Sequence, residues 1–233
     1  MKDYRKNELI YYALGNILIM LFFSGQLGQI LTLNNETQID IFKVVTESVF
    51  VLSIVSSYVF VLDSVLSGWI KFKIAYFGIG RLPGCTIFSK IKEKDDDPRF
   101  DHEDVMKCYE QIYLNMPEKN KRKYENVHWN KIYLKYEKED KVKTVQRNFL
   151  LCRDLFIMTL FLCIIYFILI FGCGIGVLRY EALIVLIVEL LVTNIAMREQ
   201  RIEFAYMVIA LDVNQVRTVL FSCSWYGQKG CHQ

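Results

Sequence analysis

The chain has 233 residues, of which 53% are hydrophobic, 14% aromatic and 23% charged. A net charge of only +3 says little about partners. A mean hydropathy of +0.24 with only three prolines points to continuous helices, and long uncharged stretches beside one charge-rich segment point to a membrane protein with a polar domain.

Residues 1–8, MKDYRKNE, are polar and basic. Leu9 to Leu33 then runs 25 residues without a charge, which is too long for the apolar core of a signal peptide, so a retained first span is predicted. Asn16, Gln26 and Gln29 interrupt it and are expected to bond between helices. The loop 34–40, NNETQID, lacks Lys and Arg. A second span is predicted from Phe42 to Ile70, with Lys43 and Glu47 four apart and able to pair on one face. Ser53, Ser56, Ser57, Asp63, Ser64 and Ser67 fall on one helical stripe, which in lipid must face protein or water.

Residues 71–148 change character, holding 18 Lys and Arg against 13 Asp and Glu. GIGRLPG at 78–84 reads as a turn, because a phosphate-cradling glycine loop needs a strand before it. EKDDDP at 93–98 reads as an acidic loop. An amphipathic helix is predicted over Asp101–Met116, with Asp101 as N-cap and Val105, Met106, Tyr109, Ile112, Tyr113 and Met116 inward, ended by Pro117. A second is predicted from Lys121 to Glu139 with Trp129, Ile132, Tyr133 and Tyr136 inward. A third starts at Asp140 and runs through Val142, Val145 and Phe149 into a third span.

That third span, Leu155 to Leu178, has 24 residues with no Asp, Glu, Lys, Arg or His. As a helix it reaches about 36 Å, enough to cross a ~30 Å hydrocarbon core. RYE at 179–181 is a tight loop, and Ala182 to Met197 is a short fourth span with one acid, Glu189. The helix is expected to continue to about Phe221, with Ile202, Ala205, Ile209, Val216 and Val219 as its stripe. Lys and Arg sit at the N-terminus, in 71–148 and after Met197, while the loops between spans hold only Arg179. The positive-inside rule therefore predicts that both termini and 71–148 are cytosolic.

The expected fold is an all-α integral membrane protein with four transmembrane helices and a helical cytosolic domain between the second and third. Its parts are 1–70, 71–148, 149–197 and a C-terminal helix and tail, 198–233. The seven cysteines show no CxxC spacing and are expected to be reduced thiols. Cys223, Cys231 and His232 lack a fourth ligand at a sensible spacing, so no metal and no cofactor is predicted.

Glu189 cannot easily reach an interface from the middle of a 16-residue span. It and Asp63, with Ser53, Ser56, Ser64 and Ser67, are candidates either for a water-lined path through an oligomer or for polar contacts between helices. Arg153 and Asp154 at the mouth of the third span, like Lys43 and Glu47, are candidate ion pairs. Arg122, Lys123, His128, Trp129 and Tyr133 combine cations with aromatic rings and are candidates for sensing a nucleotide, oligonucleotide or protein, though the same pattern describes an ordinary amphipathic helix. Anionic lipid headgroups are a third use of that charge. Arg122 and His128 also match the loose R-x(4–6)-H pattern of the HEPN ribonucleases, which recurs by chance in basic segments.

Two spans, a basic insert and two further spans resemble, in outline, bacterial membrane effectors of anti-phage defence, both Hailong-type transmembrane effectors and CRISPR-associated accessory membrane proteins. LPGCTIF at 82–88 and NFLLCRD at 148–154 look like family-type segments but match no named family, and no site residue is carried over. The resemblance implies a homo-oligomeric channel in the bacterial inner membrane whose opening depolarises an infected cell. The alternatives are a non-conducting membrane anchor that recruits a cytosolic partner to 71–148, and a membrane-tethered HEPN-like ribonuclease.

Overall fold

The computed structural model describes residues 2–23, 46, 50, 53–54, 57, 61, 64–76, 82–93, 97–172 and 180–228. Their secondary structure is helical, joined by short turns, with no strand among the described residues. In chain order the helices are α1 (Lys2–Phe23), α2 (Gly68–Ala75), a 3₁₀ turn (Pro83–Thr86), α3 (Ile87–Glu93), α4 (His102–Cys108), α5 (Glu110–Leu114), α6 (Lys121–Tyr136), α7 (Asp140–Phe171) and α8 (Tyr180–Gln228). Contacts divide the chain into two units, one of residues 1–78 and 150–197, the other of 79–149 and 198–233. Helices α7 and α8 each contribute residues to both.

The first unit is held by one apolar cluster. Leu9 of α1, Met158, Leu162, Cys163 and Tyr166 of α7, and Ala182 and Leu186 of α8 are its buried members. Among the described residues one helix, α7, is long and apolar enough to cross a membrane. The predicted first span lies only partly within the described residues and the second mostly outside them, and Ala182–Met197 forms part of α8. The second span was expected to reach Ile70. Instead, a bend at Leu66 precedes Ser67, whose hydroxyl accepts from the Ile70 N–H at 3.4 Å and starts α2 as a separate helix.

The second unit packs α3–α6 with residues of α7 and α8. Phe88 and Ile91 of α3, Val105, Tyr109, Trp129, Ile132, Val142, Phe149, Phe204, Ala205 and Ile209 are buried there. Asp101 caps α4 as expected, accepting from the Glu103 N–H at 2.9 Å. The single helix expected over Asp101–Met116 is two short ones broken at Tyr109, whose backbone leaves helical geometry at φ −112°. The break lets the Tyr109 ring meet Phe88 edge-on at 5.3 Å while its hydroxyl reaches Asp212. Helix α6 ends at Tyr136 rather than Glu139, α7 starts at Asp140 as expected, and α8 runs past Phe221 to Gln228. Val216, placed inward by periodicity, is exposed.

The 3₁₀ turn sits against α6 with almost no clearance. A methyl group added at Gly84 would lie 2.5 Å from Cβ and 2.7 Å from Cγ of Trp129. Trp129 cannot retreat, because its Nε1–H donates to the Ala205 carbonyl at 3.2 Å and its ring stacks on Tyr133. We therefore expect Gly84→Ala to destabilise the second unit by about 1–3 kcal/mol. Equilibrium unfolding of the purified protein in urea should show the lowered midpoint; an unchanged midpoint would mean that the turn can move away.

Candidate functional site

The second unit carries a cavity of about 460 Å³ lined by Leu82, Cys85, Asn120, Lys121, Arg122, Lys123 and Asn126. It lies at the start of α6. Asn120 adopts left-handed backbone geometry, φ +62°, and makes no side-chain cap, while its carbonyl accepts from the N–H groups of Lys123 at 3.0 Å and Tyr124 at 3.1 Å. The first turn has no acidic residue and three consecutive cations. Cations at this end of a helix oppose the macrodipole, which favours negative charge there. Among the described residues, none of these three cations has an ion-pair partner, and the lining includes no carboxylate. Cys85 forms part of the wall. Burial holds its thiol above the ordinary cysteine range despite nearby Arg201 and Arg122, so it is not an activated nucleophile.

The acid nearest this wall is committed to the fold. Glu125, 1% exposed, accepts from the Ser89 N–H at 3.1 Å and from the Ser89 hydroxyl, tying α6 to α3. A second buried acid, Asp212 of α8, accepts from the Tyr109 hydroxyl at 2.7 Å, the Tyr136 hydroxyl at 2.9 Å and Lys135 Nζ at 3.4 Å. Burial, and then the Asp212 charge, push the Tyr109 hydroxyl far above the ordinary tyrosine range. Arg99 bridges Asp97 and Glu203 at 2.5 Å each, and its hydrogen bonds hold the Asp97 carboxyl below the usual carboxylate range.

The first unit contains a polar seam inside its apolar cluster. Asn16 of α1, 2% exposed, donates through Nδ2 to Glu189 Oε1 of α8 at 3.1 Å and to the Tyr12 carbonyl at 3.2 Å. The Tyr12 hydroxyl bonds to Thr159 Oγ1 of α7. Nearby, Arg153 grips Asp154 through Nε at 2.9 Å and Nη2 at 2.7 Å, with Lys71 Nζ of α2 3.5 Å from the same carboxylate oxygen. All three side chains are at most 5% exposed. The Arg153 guanidinium also lies 4.9 Å from the centre of the Phe72 ring.

The predicted residues are thus sorted into different places. Arg122 and Lys123 line the cavity. Trp129, 4% exposed, and Tyr133, stacked on it, are core residues facing Phe204, so they offer no exposed stacking platform. His128 packs against Tyr124 with ring centres 4.4 Å apart, and burial together with Lys131 holds it below the ordinary histidine range. It is six residues from Arg122 on one helix, about 9 Å along the axis. Glu189 is half-buried in the seam, while Ser53, Ser64 and Ser67 are exposed. Arg153 and Asp154 form the expected pair, joined by Lys71, which sequence reading did not single out. Lys43, Glu47, Ser56 and Asp63 lie outside the described residues. Among the described residues Cys85, Cys108, Cys152 and Cys163 take part in no disulfide, and no metal-holding cluster occurs.

Comparison with protein-family models, curated proteins and solved structures finds no match to this chain.

Replacing Asp212 by Ala should cost about 2–3 kcal/mol, because the buried Tyr109 hydroxyl loses its acceptor. Tyr109→Phe should cost about 1 kcal/mol, and the double variant should cost less than the sum. Denaturant unfolding of the set checks this; strict additivity would mean that the two groups do not interact.

Proposed function

We propose that this chain is a four-span integral membrane protein, with both termini and residues 71–148 in the cytosol, that assembles with copies of itself into a channel controlled by the cytosolic part. One observation supports the membrane assignment above all others: the first unit has reversed polarity. Ile164, Phe167, Ile168 and Phe171 of α7 and Ile184, Val188, Leu191, Val192 and Ile195 of α8 point outward, while Asn16, Thr159 and Thr193 are buried. Water would penalise so continuous an apolar exterior, and lipid favours it.

Glu189 fits a contact between helices of one chain better than a pore wall, since Asn16 already engages it. The pore-lining role then falls to the hydroxyl stripe that includes Ser53, Ser57, Ser64 and Ser67, all exposed, together with Ser56 and Asp63 by periodicity. Four spans are too few to enclose a wide path alone, so the stripes of several copies would have to face one another. In the anti-phage reading, opening such a path depolarises the bacterial inner membrane.

Purified protein in planar bilayers should pass current. Glu189→Gln should leave the reversal potential in a salt gradient unchanged, and Ser57→Asp should move it toward the cation value. A silent bilayer would discard the channel in favour of the non-conducting anchor, and a shifted reversal potential for Glu189→Gln would return Glu189 to the pore wall. Topology has its own check. Reporters active only in the cytosol should work when fused after Asn120 and fail when inserted at Asn35. Activity at Asn35 would remove the four-span assignment.

A further inference from the structure

We propose that the cavity at the start of α6 binds a small phosphate-bearing anion carrying two or more negative charges; this deepens the reading of the second unit as the controlling part and rests on it. Lys121, Arg122 and Lys123 are consecutive, line one cavity and have no ion-pair partner among the described residues. Arg122 and Lys123 are exposed and Lys121 is half-buried, so these consecutive like charges repel one another only weakly, while all three oppose the helix dipole. A polyanion relieves both effects. A neutral or cationic ligand relieves neither.

The wall also says how the ligand is read. Asn120 and Asn126 supply amide donors beside the cations, and Leu82 and Cys85 supply the apolar side. No aromatic ring lines the cavity among the described residues, since Trp129 and Tyr133 are turned into the core. Recognition therefore works through charge and hydrogen bonds to phosphate oxygens, without stacking on a base. The volume, about 460 Å³, is in the range of small-molecule sites. It suits a phosphorylated metabolite or the phosphomonoester head of a lipid, and both share this chemistry.

Inorganic pyrophosphate is the probe. With the full chain in zwitterionic detergent, pyrophosphate should bind in calorimetry and raise the unfolding temperature, whereas chloride at the same ionic strength should not. Lys121→Gln/Arg122→Gln/Lys123→Gln should weaken binding by at least about tenfold. The charge-matched control Lys92→Gln/Lys138→Gln/Lys141→Gln should change it by less than about twofold. Asn126→Asp keeps all three cations and adds a carboxylate to the wall, so it should also weaken binding and keeps the test open if the triple variant unfolds. Vesicles of phosphatidylcholine with phosphatidic acid separate the sources: competition with pyrophosphate assigns the site to a lipid head, and no competition assigns it to a soluble phosphate. Absent binding, or equal loss in the control variant, overturns the site. Binding without any current in bilayers leaves the site standing and overturns only the channel.

Discussion

The buried acids Asp154, Glu125 and Asp212 are each matched by a group on another helix, and those matches fix which helix faces meet. A carboxylate taken out of water without donors costs several kcal/mol, more than most single contacts return. Asp154 is therefore surrounded by Arg153 and Lys71, Glu125 is bonded to Ser89, and Asp212 gathers Tyr109, Tyr136 and Lys135. Each match joins segments distant in sequence, except the adjacent Arg153–Asp154 pair, which Lys71 ties to α2. Apolar packing would tolerate small rotations of the helices; these bonds do not.

The two units apply that rule in opposite senses. In the second, aromatic rings fill the interior: Phe88 meets Tyr109 and Tyr113 edge-on, and Phe204 meets Trp129, Tyr133 and Phe149. Most charged groups described there remain outside, apart from Glu125, Asp212 and Arg201, which are buried. In the first, the outward faces of α7 and α8 are apolar and polar groups are drawn inward, with Asn16 against Glu189 and Tyr12 against Thr159. A polar pair inside such a bundle gives specificity at little net stability, because it can be satisfied in only one rotation of α1.

The proposed anion site follows from where charge is left unmatched among the described residues. Lys121, Arg122 and Lys123 are consecutive cations at the cavity with no ion-pair partner among the described residues. By contrast Trp129 and Tyr133, which on a helical wheel sit near those cations, are spent on the core. One short helix thus divides its residues between a cavity wall at its first turn and a packing face beyond it. Glu125 links the two, since it lies on the same helix and its bonds to Ser89 place α3 against α6.

Much of this was legible in the chain. The uncharged run in α7, the cap at Asp101, the start of α7 at Asp140 and the buried faces of α6 at Trp129 and Ile132 follow from spacing and side-chain chemistry alone, because a helix repeats its faces at a fixed interval. The adjacency of Arg153 and Asp154 also announced their pairing. Periodicity could not show the break at Tyr109, since the residue fits the apolar stripe and the acceptor of its hydroxyl, Asp212, lies on the distant α8. Nor could it distinguish Glu125 and Asp212 from solvent-facing acids, or Glu189 on a pore axis from Glu189 against Asn16. Sequence determines the periodic faces and the local caps, which depend on neighbours within about one turn. Tertiary structure decides the partner of each buried polar group, because that partner comes from a helix whose approach no local spacing encodes.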